Sequence, residues 1–580
     1  MVATEGHVGV YDAALNHRKA TMGASGPAAL VKNSKVFMIA LFACLGGFLY
    51  GYNQGVFSGI LTMPSFERYM GSYVTNQSKK GWLTAILELG AWFGALVSGF
   101  LAEALSRKYA IMVATVVFII GVVIQATAQE TGPEGILAGR FITGMGVGSL
   151  SMIVPMYNAE VAPPEVRGSL VGLQQLAITF GIMLSFWINY GTHYIGGTGD
   201  GQKVSAWLIP ICLQLIPAVI LLVGILWMPF SPRWLVHHGR EEEARRVLAN
   251  IRELPIDHEL IELEYLEIKG QSLFEKRTVA ERWPDLRELT AWNTFKLQFI
   301  AIGSLFETKP MFKRVVVATV TMFFQQWTGI NAILYYAPTI FQNLGLSGNT
   351  VSLLATGVVG VVMFLATIPS VLYIDRLGRK PVLIVGAIGM AICHVIIASI
   401  VAAFRDSWDE NKVAGWAAVS MVWLFVVHFG YSWGPCSWII VSEIWPLSTR
   451  TYGIALGTSS NWMNNFIVGQ VTPDLIDDVS YGTYLLFGGL TFLGAAFIFF
   501  FVPETKRVSL EEMDVIFGSP GAAQADKERM DEINAEIGLT AMLRDLGAVV
   551  VAESRHPETS ELKREKEVIH QEAVGKEEQV

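Results

Sequence analysis

Three amides carry the most informative chemistry in the chain: Gln325, Gln326 and Asn331, in Gln325-Gln326-Trp327-Thr328-Gly329-Ile330-Asn331-Ala332-Ile333-Leu334-Tyr335-Tyr336. A side-chain amide offers two donors and two acceptor lone pairs, which suits a ligand made of hydroxyls. At helical spacing the three fall on one face. They lie in an apolar run from about 315 to 341, long enough to cross a bilayer. Hydrocarbon offers an amide no partner, so such a group either joins helices or meets a polar ligand. One amide alone favours a helix–helix bond. Three together, with Gly329 and two tyrosines, favour a ligand site.

Glu88, in Leu87-Glu88-Leu89-Gly90, is the second candidate. Counted from the outer ends of their segments, Asn53 and Glu88 sit about 15 and 10 Å deep at helical rise. A carboxyl at that depth is expensive, which makes it a functional candidate and here a candidate proton carrier. The alternative is a permanently hydrogen-bonded structural Glu. His394 and His428 also lie in apolar segments and read as packing histidines.

These residues need a membrane scaffold, and the composition supplies one. The 580 residues are 52% hydrophobic and 16% charged, with mean hydropathy +0.44. That is a polytopic all-α membrane protein. Twelve apolar segments follow one another, at roughly 36–63, 81–105, 109–128, 135–157, 168–192, 206–229, 315–342, 351–374, 381–404, 413–441, 453–473 and 481–502. Cys44, Cys212, Cys393 and Cys436 all fall inside them and read as free thiols. Nothing resembles a phosphate-binding loop, a metal cluster or a nucleophile–base pair, so ATP-driven, metal-dependent and enzymatic classes are set aside, and no cofactor or nucleic acid is expected.

Lys and Arg crowd the short even-to-odd connections, where Arg107, Lys108, Arg167, Arg376, Arg379, Lys380 and Arg450 lie, and the long segment 230–313. These belong inside, so both termini are expected in the cytoplasm. Asn76-Gln77-Ser78 is a glycosylation sequon on the expected outer side. The chain divides into a tail (1–35), a six-helix half (36–229), a linker of short cytoplasmic helices (230–313), a second half (314–502) and a tail (503–580). Charge and few aromatics make 519–580 a disordered or partly helical, solvated tail.

The halves repeat. Glu160 to Arg167 after segment four matches Glu443 to Arg450 after segment ten; Glu103 to Lys108 matches Asp375 to Lys380; Pro229 to Arg233 matches Pro503 to Lys506. The offset is about 270–285 residues, the mark of two six-helix halves.

With these strings, Gly139-Arg140-Phe141, Pro155-Met156-Tyr157, Trp433-Gly434-Pro435-Cys436-Ser437-Trp438 and Pro503-Glu504-Thr505-Lys506, the chain resembles the sugar porter family of the major facilitator superfamily over about 36–518. The nearest look is to fungal high-affinity glucose and hexose transporters. The resemblance implies alternating access in the plasma membrane, by a monomer, with a monosaccharide and a proton as partners. It implies a sugar site of Gln175, Gln325, Gln326, Asn331, Trp438, Asn461 and Trp462. Arg107, Arg140, Glu160, Arg167, Asp375, Arg376, Arg379, Glu443 and Arg450 are expected at the inner ends as a charged latch, with Gly434 and Pro435 as a hinge. Phe230, Glu103, Ala104 and Ser106 depart from the family pattern, so the first-half latch is expected to be the weaker. Asn53 stands where proton-coupled members carry Asp, and Met363 where many carry Asn. Hence the proposed carrier is Glu88; a uniporter and a transporter-like sensor are the alternatives.

Overall fold

The computed structural model describes residues 33–163, 167–286, 290–346, 348–446, 448–506, 508, 510–518 and 522–546. The expectations for Arg167, Asp375 and Arg376 concern side chains outside the described set. Twelve helical spans form the body: α1 (Ser34–Ile60), α2 (Gln77–Leu105), α3 (Arg107–Ala126), α4 (Pro133–Val161), α5 (Arg167–Thr192), α6 (Ser205–Trp227), α7 (Lys309–Trp327 with Ile330–Asn343), α8 (Asn349–Leu377), α9 (Arg379–Phe404), α10 (Lys412–Tyr431 with Trp433–Glu443), α11 (Arg450–Val479) and α12 (Tyr481–Phe501). Among the described residues, nine of these spans are long and apolar enough to cross a membrane. The other three, α5, α7 and α11, carry the amides Gln174, Gln175, Gln325, Gln326, Asn331, Asn461 and Asn465.

The boundaries follow local chemistry. Thr308 accepts a hydrogen bond from the Met311 N–H at 3.4 Å, and Pro310 sits in the first turn. The helix therefore starts at Lys309, ahead of the apolar run that defines it in the sequence. Asn76 caps α2 in the same way, through Lys79 N–H at 3.0 Å.

We call the side that carries the linker the inner side. On the outer side the halves are shut. α2 lies along α11 and α5 along α8. A Cβ at Gly81 would come within 2.4 Å of the Gln470 carbonyl oxygen, so only glycine permits that approach. Gln470 Nε2 donates to Ser78 O at 3.1 Å nearby. On the inner side a cavity of about 840 Å³ separates the halves, lined by Ala95, Ser98, Glu103 and Met156 of the first and Ser448, Tyr452 and Ala455 of the second. The arrangement faces inward.

The linker is helical, as expected: Pro232–His237, Glu241–Arg252, Glu259–Arg282 and Ala291–Ser304. It is fastened to the first half by Arg252 Nη1 on Val161 O (2.9 Å) and Trp234 Nε1 on Glu103 O (2.9 Å). Part of the C-terminal region is docked rather than solvated. Helix Ala522–Glu536 packs on Glu259–Arg282, with Arg277–Glu536 at 2.7 Å and Arg529–Glu281 at 2.6 Å. Leu539 and Leu546 are buried against Leu260 and Leu263. A few leucines among charges were enough to bury one face of a segment whose average composition reads as solvated.

Candidate functional site

α11 orders the site by depth. Going outward from Ala455, which lines the cavity, come Ser459, which accepts a bond from Trp92 Nε1 of α2 at 2.7 Å, then Asn461 and Trp462, then Asn465, and finally Gly469, whose carbonyl takes the Tyr336 hydroxyl at 2.7 Å. The candidate ligands therefore sit just above the ceiling of the inner cavity.

The three amides of α7 do not share one continuous helix face. The helix breaks at Thr328-Gly329, with Gly329 at φ +91°, a conformation that suits glycine. Gln325 turns toward α10 and α11: its Nε2 donates to Trp433 O at 2.9 Å and Gly434 O at 3.2 Å, and its Oε1 accepts from Asn461 Nδ2 at 2.5 Å. Across the break, Asn331 Nδ2 donates to Gln326 Oε1. The break, not helical periodicity, brings Asn331 back to Gln326. His394 Nε2 donates to the Thr328 carbonyl at 2.8 Å and its ring packs on Phe425, so it braces the break.

Trp462 is buried beneath Tyr50 of α1, with ring centroids 5.1 Å apart, and its Nε1 is without a hydrogen-bond partner among the described residues. Trp438 is half-buried on the second segment of α10. Gln175 is half-buried on α5 and forms no hydrogen bond to the second-half amides among the described residues. Its neighbour Gln174, buried at 7% exposure, has both amide atoms unpartnered within that set. Gln174 escaped the sequence reading, which followed the family pattern to Gln175. The α10 break falls at Ser432 (φ −117°, ψ −87°), so Gly434 and Pro435 open the second segment rather than form the bend. Pro there loses little, because first-turn N–H groups have no helical acceptor.

Glu88 is fully buried and joins the halves. Its Oε1 accepts from the Tyr335 hydroxyl at 2.7 Å, and its Oε2 from Asn465 Nδ2 at 3.1 Å. Tyr335 also reaches Asn465 Oδ1 at 2.9 Å. The sequence did carry a sign of Asn465: it lies four residues after Asn461, on the same helix face. Asn53, by contrast, is bound within the first half, donating to Leu49 O (3.0 Å) and Gln214 Oε1 (2.7 Å).

Arg140 corrects an expectation. α4 begins at its outer end, so Arg140, in its second turn, belongs to the outer half of the body and not to the inner charge cluster. There it is 1% exposed, donates to Thr84 O at 2.7 Å and lies 3.7 Å over the Phe57 ring. Expected in the inner charged latch, it is retained in the outer half by its bond to Thr84 O and its place over the Phe57 ring.

The other inner charges do gather, each set within its own half in this inward-facing form. Arg107 pairs with Glu160 at 2.9 Å and Glu103 at 2.8 Å. Arg379 pairs with Glu443 at 2.9 Å, and Thr505 donates to Glu443 at 2.5 Å. Glu504 accepts from the Arg379 and Lys380 N–H groups at 3.0 and 3.1 Å. Phe230, at the matching place in the first half, instead stacks on Trp234. Arg450 borders the cavity. His237, after α6, lies 3.6 Å from Glu103 and against Ser272 at 3.2 Å; burial pushes its imidazole down to about 4, against the opposing pull of Glu103.

Comparison with known proteins fits this geometry. The chain is 35% identical over 521 residues to a quinate permease of Neurospora africana, covering 87% of this chain and 92% of that one. It is 34% identical over 498 residues to a probable quinate permease of Aspergillus fumigatus, covering 84% and 88%. These names differ from the glucose and hexose transporters that the motifs suggested. Among solved structures, the proton:xylose symporter XylE bound to 6-bromo-6-deoxy-D-glucose matches with TM-score 0.67 and 28% identity, covering 83% of this chain and 99% of that one. The inward open conformation of XylE from E. coli matches with TM-score 0.66 and 28% identity, covering 83% and 99%. The sugar (and other) transporter family model spans residues 39–517. The chain is thus a multi-pass membrane transporter of the major facilitator fold and a member of the sugar porter family.

Proposed function

We propose that the chain moves a neutral monosaccharide, with glucose or another hexose the first choice, across the plasma membrane by alternating access, coupled to a proton carried by Glu88. The carrying observation is the character of the cluster above the cavity. Gln325, Gln326, Asn331 and Asn461 offer uncharged donors and acceptors, and Trp462 a buried indole. Amides suit sugar hydroxyls, and an indole face suits the C–H face of a pyranose. Coupling through Glu88 is supported by its hydrogen bonds to both α7 and α11, which make the carboxyl part of the outer closure. In the outward-facing form the inner ion pairs exchange across the halves as a latch, both termini are cytoplasmic, the unit is a monomer, and Asn76, exposed on the outer loop, carries the glycan.

A second reading is quinate, a hydroxylated ring acid, favoured by the names of the relatives. The test is uptake of labelled glucose and, separately, of labelled quinate in a transporter-null host, each with unlabelled hexoses, polyols and quinate as competitors. Labelled glucose uptake inhibited by hexoses at the lowest concentration supports the first reading; uptake of labelled quinate without uptake of labelled glucose replaces it. Uptake of neither labelled compound favours the sensor reading.

A further inference from the structure

Helix Ala291–Ser304 has two unlike faces. Its inward face rests on the inner ends of α2 and α11, one from each half, and Leu297 reaches the wall of the inner cavity. Among the described residues its other face exposes apolar side chains. Trp292, Phe299 and Ile300, at i, i+7 and i+8, are 63%, 55% and 45% exposed, and Phe306 and Phe312 continue the strip at 50% and 49%. Lys296 lies on the same face, with Nζ 5.2 Å from the Trp292 ring, and Lys309 and Lys313 are exposed beside it against the exposed Glu307.

The height of this helix is set by its neighbours. It packs where α2 ends at Leu105 and α11 begins at Arg450, and a four-residue turn links it to Lys309, the start of α7. Those ends are where the body leaves the hydrocarbon. An apolar strip at that level, bordered by lysines, lies at the inner end of a body whose α12 likewise exposes Leu493, Phe499 and Phe500. Trp and Lys together suit the headgroup layer, since the indole takes the interface and the ammonium takes anionic phosphate.

We propose that Ala291–Ser304 is an interfacial helix whose Trp292–Phe299–Ile300 face inserts into the linker-side leaflet, with Lys296, Lys309 and Lys313 on anionic headgroups. Because its other face touches both halves at the cavity, leaflet contact bears on the position of the inner gate. The inference rests on the membrane reading of the fold and not on the identity of the substrate.

The test uses the full chain with its four cysteines replaced by serine, a spin label at Phe299→Cys, and vesicles of either zwitterionic lipid or an equal mixture with phosphatidylglycerol. The label is expected at about 5–10 Å depth, reached by oxygen in preference to a polar nickel chelate, with the preference greater in anionic vesicles and reduced by Lys296→Glu. A label as open to the chelate as one at Glu307→Cys overturns the proposal. So does protection that persists in detergent, or dipolar broadening that reports a second copy over the strip. If the cysteine-free chain does not fold, quenching by brominated lipid is compared between the natural chain and Trp292→Phe; equal quenching overturns the proposal equally.

Discussion

The Glu88 carboxyl of the first half lies 2.7 Å from the Tyr335 hydroxyl of the second. It is buried in the layer between the amide cluster and the outer seal. A charge there faces a large desolvation penalty unless its lone pairs are bonded. Tyr335 and Asn465, both of the second half, supply those bonds in this outer-closed form. A proton carried by Glu88 would thereby be linked to outer closure. Tyr335→Phe and Asn465→Ala each remove a bond across the halves. Both are expected to raise the outward-facing population, read as increased labelling of a cysteine at an outer-gate position buried in this form, such as Ala85→Cys, which lies against Gly469. Unchanged labelling would contradict the linkage.

Gln325 is a structural tie as well as a candidate ligand residue. Its amide ties the α7 break to Trp433 and Gly434 of α10 and to Asn461 of α11. Gln326→Ala is expected to cost about 1–3 kcal/mol of sugar affinity, roughly fivefold to 150-fold in apparent Kd, with normal membrane delivery. Gln325→Ala should cost at least as much and also slow transport, because the start of the inner α10 segment loses its anchor. Wild-type uptake kinetics in both variants would remove the α7 amides from the site.

Gly329 is the residue that lets the amides converge. At φ +91° and against Phe487, an added Cβ would sit 3.0 Å from the Phe487 ring. Gly329→Ala is expected to destabilise the protein by about 1–3 kcal/mol and to weaken sugar binding by misplacing Asn331. Thermal unfolding of the purified protein and binding titration check the two effects. A variant as stable as the natural chain and with its affinity would contradict the role of the break.

Below neutral pH, His237 should weaken the joint between the linker and α2. Its folded value is depressed from 6.5 to about 4 by burial. The unfolded chain then takes up the proton first as pH falls. The stability that His237 contributes is present above 6.5 and is lost between 6.5 and about 4. His237→Gln is expected to flatten the fall of Tm across that window. An equally steep fall in the variant would assign the effect to other groups.

Much of this was legible in the sequence, for physical reasons. Lipid imposes long apolar helices, so span positions emerged from hydropathy, and the duplicated charge motifs gave the two halves. Two kinds of fact were hidden. Where a helix breaks, spacing no longer reports direction: Gln326 and Asn331 meet because of Gly329, and Gln325 points elsewhere. Where a charge is buried, its neighbours and not its sign set its place: Arg140, expected in the inner charged latch, lies over Phe57 in the outer half. The docked C-terminal region shows the same limit, since composition averages over the few leucines, Leu539 and Leu546, that are buried against the linker.

Glu88 as the proton carrier is tested by sugar-evoked proton uptake in proteoliposomes, comparing the natural chain with Glu88→Gln. Alkalinisation of the medium is expected on sugar addition for the natural chain, with none in the variant, which should still exchange labelled for unlabelled sugar. Undiminished alkalinisation in Glu88→Gln, or none in the natural chain while it transports sugar, would contradict it.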